Sequence, residues 1–139
     1  MTVIVDEIRL NTKAELDLVD ITPVLRNSLS KTGLEKGTAT VFIPGATGAI
    51  TTIEFEPGLQ KDFPAALERL FPKDIRYWHH DTWHDDNGHS HVRAAMLSPS
   101  LTIPFTNGTL ILGTWQQIIF VELDTRGRTR HISVTFIGE

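Results

Sequence analysis

The chain has 139 residues, no cysteine and a formal net charge of −4. A chain of this length buries about 70% of its unfolded surface, so we expect one domain spanning residues 1–139. The missing cysteines exclude disulfides, thiolate metal sites and a cysteine nucleophile, and they suit a reducing compartment such as the cytoplasm. The acidic balance gives no electrostatic reason to bind nucleic acid, and no apolar run reaches the ~18 residues that cross a membrane. We therefore expect neither a nucleic-acid partner nor a membrane partner.

The first half of the chain predicts four strands and two helices. Alternating apolar residues indicate strands in TVIVDEIRLN, ELDLVDI, GTATVFIPG and AITTIEFE. The segments ITPVLRNSLSKTG and KDFPAALERLF have helical spacing instead. Thr22 and Asp62 are the predicted N-terminal caps of these helices, and Gly33 is the predicted end of the first.

The second half predicts a long loop and then four more strands. Between Lys73 and Gly88 the sequence follows neither period, and its aromatic residues argue against disorder, so we expect a functional loop. Strands are predicted in HSHVRAAML, SLTIPF, TLILGTWQQIIFVELD and RTRHISVTFIG, with a hairpin turn at Asn107 and Gly108. Runs of strands with two helical interruptions favour an α+β fold, mainly an antiparallel β-sheet or sandwich with two or so helices.

Five of the six histidines, and three aspartates, lie between His79 and His91. On the predicted strand, His89 and His91 would project from one face and offer two nitrogen ligands to a metal ion. His79, His80 or His84 would supply a third ligand, and aspartates of the loop would orient the rings. A metal-free histidine acting as general acid or base is an alternative, and so is a surface loop of histidines without a site.

Other segments offer polar groups to a small ligand. The glycine-rich turn PGATGA presents Thr47 and Gly48 to an anion, although a plain hairpin has the same composition. We expect Glu54, on the strand that leaves this turn, to point towards the same cleft; facing water, it would be only a solvated charge. Trp115 would form the wall of a pocket or belong to the core, and Gln116 would supply a polar contact. The basic cluster RGRTR at 126–130 suits a solvated hairpin end as well as an anion site.

The run HDDNGHSHVRAAMLSPSLTIPFTNGTLILGTWQQIIFVELD, with PGATGAITTIEFE upstream, resembles the YjbQ-type family. The resemblance covers about residues 3–139, and its most specific part is SHVRAAMLSPSLTIP followed by LGTWQ. It implies a compact α+β domain, a homotrimer, and a histidine site near the subunit interface with a divalent metal such as zinc. The activity it implies is that of a secondary thiamine-phosphate synthase, in which a thiazole phosphate nitrogen displaces the pyrophosphate of an aminopyrimidine.

The resemblance also implies roles for individual residues. The implied catalytic residues are Glu54, His79, His91 and Arg93, and the implied metal ligands are His79, His84, His89 and His91. Arg93 or the metal, with backbone amides at Thr47 and Gly48, would stabilise the departing pyrophosphate. Many relatives have a histidine where this chain has Gly45, so its role is absent here or has moved to another histidine of the loop. The expected ligand is a small phosphorylated metabolite, turned over by an enzyme or held by a non-catalytic metal- or small-molecule-binding protein.

Overall fold

The alternating apolar segments pair into two antiparallel sheets in the computed structural model, which describes residues 1–139. The strands are β1 (Thr2–Asn11), β2 (Leu18–Asp20), β3 (Lys36–Phe42), β4 (Gly48–Ile53), β5 (Ser100–Thr106), β6 (Thr109–Leu110), β7 (Gln117–Glu122) and β8 (Thr129–Gly138). The helices are α1 (Thr22–Thr32), α2 (Pro57–Leu70), α3 (Trp78–Trp83) and α4 (Gly88–Leu97). The sheets have the strand orders β1-β8-β3-β5-β6 and β2-β7-β4. The predicted α+β class is confirmed, with two more helices than expected.

The three-stranded sheet is the middle layer of the fold and is buried on both faces. One face packs with the five-stranded sheet and α1 in the main core, to which β7 contributes Ile118 and Phe120. The other face packs Ile119 against Leu67 of α2 and Ala94 of α4. Because β7 is covered on both sides, its sequence is continuously apolar instead of alternating. None of the helices has the length and apolarity that crossing a membrane requires.

The segment HSHVRAAML is helix α4, so the strand predicted there is wrong. Its buried residues include His89, Ser90, Arg93 and Ala94, and this spacing defines one face of a helix. Alanine, arginine, methionine and leucine are also strong helix formers, and they make up most of its second half. The difference matters for the site because residues two apart on a helix project about 200° apart around its axis.

The predicted boundaries of other elements also change. Helix α2 begins at Pro57, well before the expected cap at Asp62, because the Glu56 carboxylate accepts hydrogen bonds from the amides of Gly58 (2.9 Å) and Leu59 (2.5 Å). The predicted loop at 73–88 contains α3, and a turn breaks the predicted strand TLILGTWQQIIFVELD between β6 and β7.

Local turn chemistry explains where two elements end. Gly33 ends α1 in a left-handed conformation with φ of 71°, as predicted. Asn107 and Gly108 form the predicted hairpin between β5 and β6, with φ of 51° and 66°. Thr22 does not cap α1; its hydroxyl instead accepts a hydrogen bond of 2.8 Å from the Ile118 amide and so ties the helix to β7.

Candidate functional site

His79 of α3 and His91 of α4 face each other across the α3–α4 corner. Their ring centroids are 4.5 Å apart and their planes are tilted by 55°. The connection between the helices is short because His84 and Asp86 both adopt positive φ, 56° and 55°, and turn the chain back sharply. Both imidazoles are only partly buried, so a ligand can reach the pair.

The His79 ring is held from one side by Asp85 and Asn87. Asp85 Oδ1 lies 3.4 Å from His79 Nε2. With its amide nitrogen turned towards them, Asn87 lies 2.8 Å from Asp85 Oδ1 and 3.1 Å from His79 Nε2. The Asn87 contact makes Nε2 an acceptor and puts the ring proton on Nδ1, whereas the Asp85 contact needs a proton on Nε2; only the second tautomer leaves Nδ1 for a ligand, as carboxylate–histidine pairs do in metal sites. Asp85 is thus the aspartate of this loop that lies beside the His79 ring.

A groove of about 220 Å³ adjoins His91 on the side of α4 that faces the glycine-rich turn. Its lining consists of His91 and small residues, namely Gly45, Ala46, Gly48, Ala94, Ala95 and Pro99. The small side chains leave room beside the imidazole, and a concave surface with one convergent polar group is typical of small-molecule sites. The structure therefore brings the predicted turn and one predicted histidine to the same groove.

Thr47 is tied to a buried ion pair between Arg130 and Glu122. Arg130 Nη2 donates hydrogen bonds to the Thr47 hydroxyl and carbonyl (3.1 Å each) and to Glu122, and Arg130 Nε donates to Glu122 Oε1 (2.9 Å). The remaining contacts of Glu122 are the Thr12 hydroxyl (2.7 Å) and the Asp124 amide (3.2 Å). The Thr47 hydroxyl is therefore engaged within the protein, and its backbone amide is the group left for a ligand.

Gly48 is required by packing, whatever its role towards a ligand. A β-carbon at this position would lie 2.7 Å from the Phe120 ring, which is closer than carbon atoms approach. The same ring lies 5.6 Å below the Arg130 guanidinium carbon. Phe120 therefore supports both the turn and the buried arginine.

His89 lies away from the His79–His91 pair, which corrects the prediction that these three residues converge. Its side chain is 1% exposed, and its Nε2 lies 2.5 Å from Glu15 Oε1 in the β1–β2 connection. Lys73 Nζ bonds the other oxygen of Glu15 at 3.1 Å. The cause is the helical rotation between His89 and His91, which sends one imidazole into the core and the other to the groove. His89 thus ties α4 to the connection between β1 and β2.

Arg93 is placed differently from the expected catalytic arginine. It is fully buried, donating from Nε to the Phe71 carbonyl (3.0 Å) and from Nη2 to Glu68 Oε2 (2.6 Å). Both acceptors belong to the C-terminal end of α2, so Arg93 joins α4 to α2. It does not line the groove.

Glu54, Trp115 and Gln116 also lie outside the groove. Glu54 follows the last residue of β4, and its exposed side chain does not point into a cleft with Thr47, because the chain leaves the sheet before reaching it. Trp115 is 71% exposed in the turn before β7. Gln116 holds that turn, since its Oε1 accepts from the Gly113 amide (3.1 Å) and its Nε2 donates to the Thr52 hydroxyl (3.3 Å).

His84 and His80 form a second pair, on the other side of α3. Their ring centroids are 5.4 Å apart, and His80 Nδ1 lies 2.9 Å from Asp86 Oδ1. A larger cavity of about 360 Å³ adjoins His80, lined also by Lys73, Arg76 and other polar residues. It contains neither His79 nor His91, so we place the candidate site in the smaller groove, which is lined by His91, the histidine that contacts His79.

His79 and His91 offer two imidazoles, which are nitrogen ligands of the type that zinc binds. Both imidazoles are accessible, and a carboxylate, that of Asp85, lies 3.4 Å from His79 Nε2. No cluster of three or more potential ligands occurs within the chain. The other coordination positions of such an ion would be filled by water, by substrate or by a residue of a neighbouring copy. His84, exposed and packed edge-on against His80, and His89, bonded to Glu15, do not contribute to this pair.

The arrangement is that of a small α+β protein with a histidine-lined groove, and its relatives share this fold. The model for the UPF0047 protein YjbQ-like family matches residues 6–139. A UPF0047 protein of Methanothermobacter thermautotrophicus is 39% identical over 139 residues, covering 100% of this chain and 95% of that protein. The UPF0047 protein YugU of Bacillus subtilis is 31% identical over 131 residues, covering 91% of this chain and 96% of that protein.

Solved structures also match this chain over almost its whole length. A YbjQ-like protein of unknown function from Sulfolobus solfataricus matches with a TM-score of 0.93 and 36% identity over 99% of both chains. A hypothetical protein from Aeropyrum pernix matches with a TM-score of 0.91 and 31% identity, over 97% of this chain and 98% of that one. This chain belongs to the YjbQ/UPF0047 family, a family of uncharacterised proteins, and the resemblance inferred from its sequence is confirmed.

Proposed function

We propose that this chain is a metal-dependent enzyme that acts, as a cytoplasmic homotrimer, on a small phosphorylated metabolite in the groove beside His91. The reaction we put first is that of a thiamine-phosphate synthase, in which a pyrophosphate leaves. The observation that carries the proposal is the His79–His91 pair, with ring centroids 4.5 Å apart at the edge of a groove lined by small residues.

Each residue of the pair has a role in this proposal. His79 Nδ1 and His91 hold a divalent ion such as zinc; in this state His79 Nε2 carries the ring proton and faces Asp85, and the Asn87 amide donates to Asp85. When bound, such an ion supplies Lewis-acid stabilisation of phosphate oxygens. The small side chains of Ala94 and Ala95 let the substrate lie against α4, where closure by a neighbouring copy would exclude water.

Exposed apolar side chains on the outer face of the five-stranded sheet support self-association. Val3 and Val5 of β1 and Ile137 of β8 are 63%, 68% and 42% exposed. Val3 is paired directly with Ile137, so the three side chains share one face. Contact with a second copy would remove them from water, and a closed trimer would do so without leaving an open end.

A non-catalytic metal- or small-molecule-binding protein is the second candidate, and the position of Glu54 favours it. The predicted catalytic carboxylate is exposed and outside the groove, so the groove itself presents no carboxylate to act as general base. Such a protein would bind the same metal and metabolite at His79 and His91 without turnover.

Elemental analysis combined with a turnover assay separates the two candidates. After zinc loading and dialysis, we expect one zinc ion per His79–His91 pair in the parent protein and none in His91→Ala. Glu54→Gln is the matched control, because it changes an exposed charge outside the groove and should keep the zinc. Release of pyrophosphate from an aminopyrimidine pyrophosphate and thiazole phosphate supports the enzyme, and zinc without turnover supports the binding protein.

Two results would contradict the proposal as a whole. One is a parent protein that holds no stoichiometric zinc and binds no phosphorylated metabolite. The other is zinc content that His91→Ala leaves unchanged, which would locate the metal elsewhere. Light scattering tests the assembly separately: a trimer has three times the 15.6 kDa mass of the chain, and a monomer mass contradicts it.

A further inference from the structure

Arg130 has one guanidinium nitrogen that the protein itself does not use. The side chain is 7% exposed, and its Nε and Nη2 donate to Glu122 and Thr47. Nη1 has no hydrogen-bond acceptor within the chain, and it lies 3.8 Å from the position that a β-carbon on Gly45 would take. Gly45 lines the groove beside His91 and has no side chain to cover this nitrogen. Arg130 does not itself line the groove, but a buried guanidinium with one free donor next to Gly45 is suited to an anionic ligand held at this turn.

The turn in front of Arg130 adds backbone donors. The amides of Gly45, Ala46 and Thr47 donate no hydrogen bond to another backbone group. Thr47 is only 5% exposed. Gly45 and Ala46 are exposed, so their amides are open to water or to a ligand, whereas a buried residue such as Thr47 usually has its amide paired. Arg130 and this turn are separate parts of the chain, yet their free donors meet at Gly45.

We propose that Arg130 Nη1 and the amides of Gly45, Ala46 and Thr47 bind an oxyanion, the phosphate or pyrophosphate group of the ligand in the groove. This inference rests on the proposed function only for the position of the ligand beside His91. It gives the anion-binding role to Arg130 in place of Arg93, whose guanidinium is directed at α2. Backbone amides and a charged N–H donor recognise phosphate oxygens by geometry as well as by charge, and Nη1 is the nitrogen of Arg130 that remains for this contact.

Glu122 positions Arg130 and also limits its attraction for an anion. Its carboxylate is fully buried and contacts both Nε and Nη2 of Arg130. Glu122→Gln keeps the shape of the side chain but replaces one accepting oxygen by an amide nitrogen that cannot accept, and it leaves the arginine with an uncompensated charge. We therefore expect Glu122→Gln to bind phosphate more tightly, whereas a pair with only a structural role would leave the affinity of the folded protein unchanged.

The experiment titrates metal-free protein with inorganic phosphate and pyrophosphate, by calorimetry and by amide NMR. The parent protein should bind saturably, with the amide signals of Gly45, Ala46 and Thr47 shifting together. Arg130→Lys keeps the charge but lacks the planar set of donors, so its affinity should fall about tenfold, the effect of losing one charge-assisted hydrogen bond. The matched control is Arg126→Gln, which removes an exposed arginine of the same cluster and should bind as the parent does.

The results that would overturn the inference are specific. Absence of saturable shifts at the three amides overturns it, and so does a folded Arg130→Lys variant with the parent affinity. If Arg130→Lys does not fold, the inference is tested by the NMR titration of the parent protein and by the phosphate affinity of Glu122→Gln. Phosphate binding that requires zinc and disappears in His91→Ala, without shifts at the turn, overturns this inference and leaves the proposed function standing. Phosphate binding with shifts at the turn, in a protein that binds no zinc, supports this inference and contradicts the metal site of the proposed function.

Discussion

Replacing Arg93 by methionine tests whether this buried residue stabilises the fold or acts on a ligand. Methionine has a similar length and can occupy the space of the apolar part of the arginine side chain. The change removes the hydrogen bonds to the Phe71 carbonyl (3.0 Å) and to Glu68 (2.6 Å), both at the end of α2. We expect a folded protein of lower stability with its zinc and phosphate sites intact, because Arg93 does not line the groove.

The size of the effect follows from the surroundings of the two acceptors. A hydrogen bond from a charged donor to the Phe71 carbonyl contributes about 1.5 kcal/mol. The Glu68 side chain is 49% exposed, so water replaces its lost partner and the ion pair contributes less than about 1 kcal/mol. Removing a buried guanidinium also relieves its desolvation cost, which offsets part of the loss. The net expectation is a decrease of about 1–2 kcal/mol in the free energy of unfolding.

Urea denaturation measures this decrease directly. With a slope of about 2 kcal/mol per molar urea, the midpoint of Arg93→Met should fall by about 0.5–1 M. Arg69→Met, at an exposed position on the same helix that supplies Glu68, is the control and should stay within about 0.5 kcal/mol of the parent. A variant with parent stability but without zinc or phosphate binding would refute this reasoning and return Arg93 to the site.

Two further predictions concern packing and pH. Gly48→Ala would place a β-carbon 2.7 Å from the Phe120 ring, so it should lower the free energy of unfolding by about 1–3 kcal/mol, measured by the same urea titration. Unchanged stability would mean that Phe120 moves freely. The hydrogen bond from the Lys73 amide lowers the pKa of Glu68 below 4.5. Burial raises the pKa of Asp124, but the hydrogen bonds from the Thr125 amide and from Arg128 more than offset this rise and hold the pKa below 3.8. Since both folded pKa values lie below the unfolded ones, their stabilisation is present above about pH 4.5 and should be lost as pH falls through the folded values. A urea midpoint independent of pH from about 5 to 3 would contradict this.

The glycine-rich turn shows which part of the proposed anion site the sequence indicates. Its composition alone indicated a tight turn with amides available to an anion, because glycine permits conformations that other residues avoid. The sequence did not show which arginine packs against this turn. Arg130 lies 83 residues from Thr47, and only the packing of β8 beside the turn brings the two together. A signal was present in the sequence, since Arg130 follows Arg126 and Arg128 in a cluster that suited an anion site.

The histidines show the opposite case. Their concentration between His79 and His91 indicated a site, but the assignment of HSHVRAAML to a strand led to the wrong pair. In a strand His89 and His91 would share a face, while in α4 one is buried against Glu15 and the other meets His79. A nine-residue segment with two alanines and one β-branched residue is ambiguous by local propensity, and tertiary packing on the three-stranded sheet decides it.

The sequence by itself determined the antiparallel strands, the hairpin at Asn107 and Gly108, the end of α1 at Gly33 and the family, because these depend on local periodicity, glycine conformation and contiguous motifs. Only the tertiary structure decided which polar residues face the groove. Glu54 and Arg93 have the right chemistry for catalysis, yet one lies in water and the other joins two helices. The physical reason is that a side chain faces the core, a groove or water according to which elements pack beside it. This packing is set by contacts between residues that are distant in sequence.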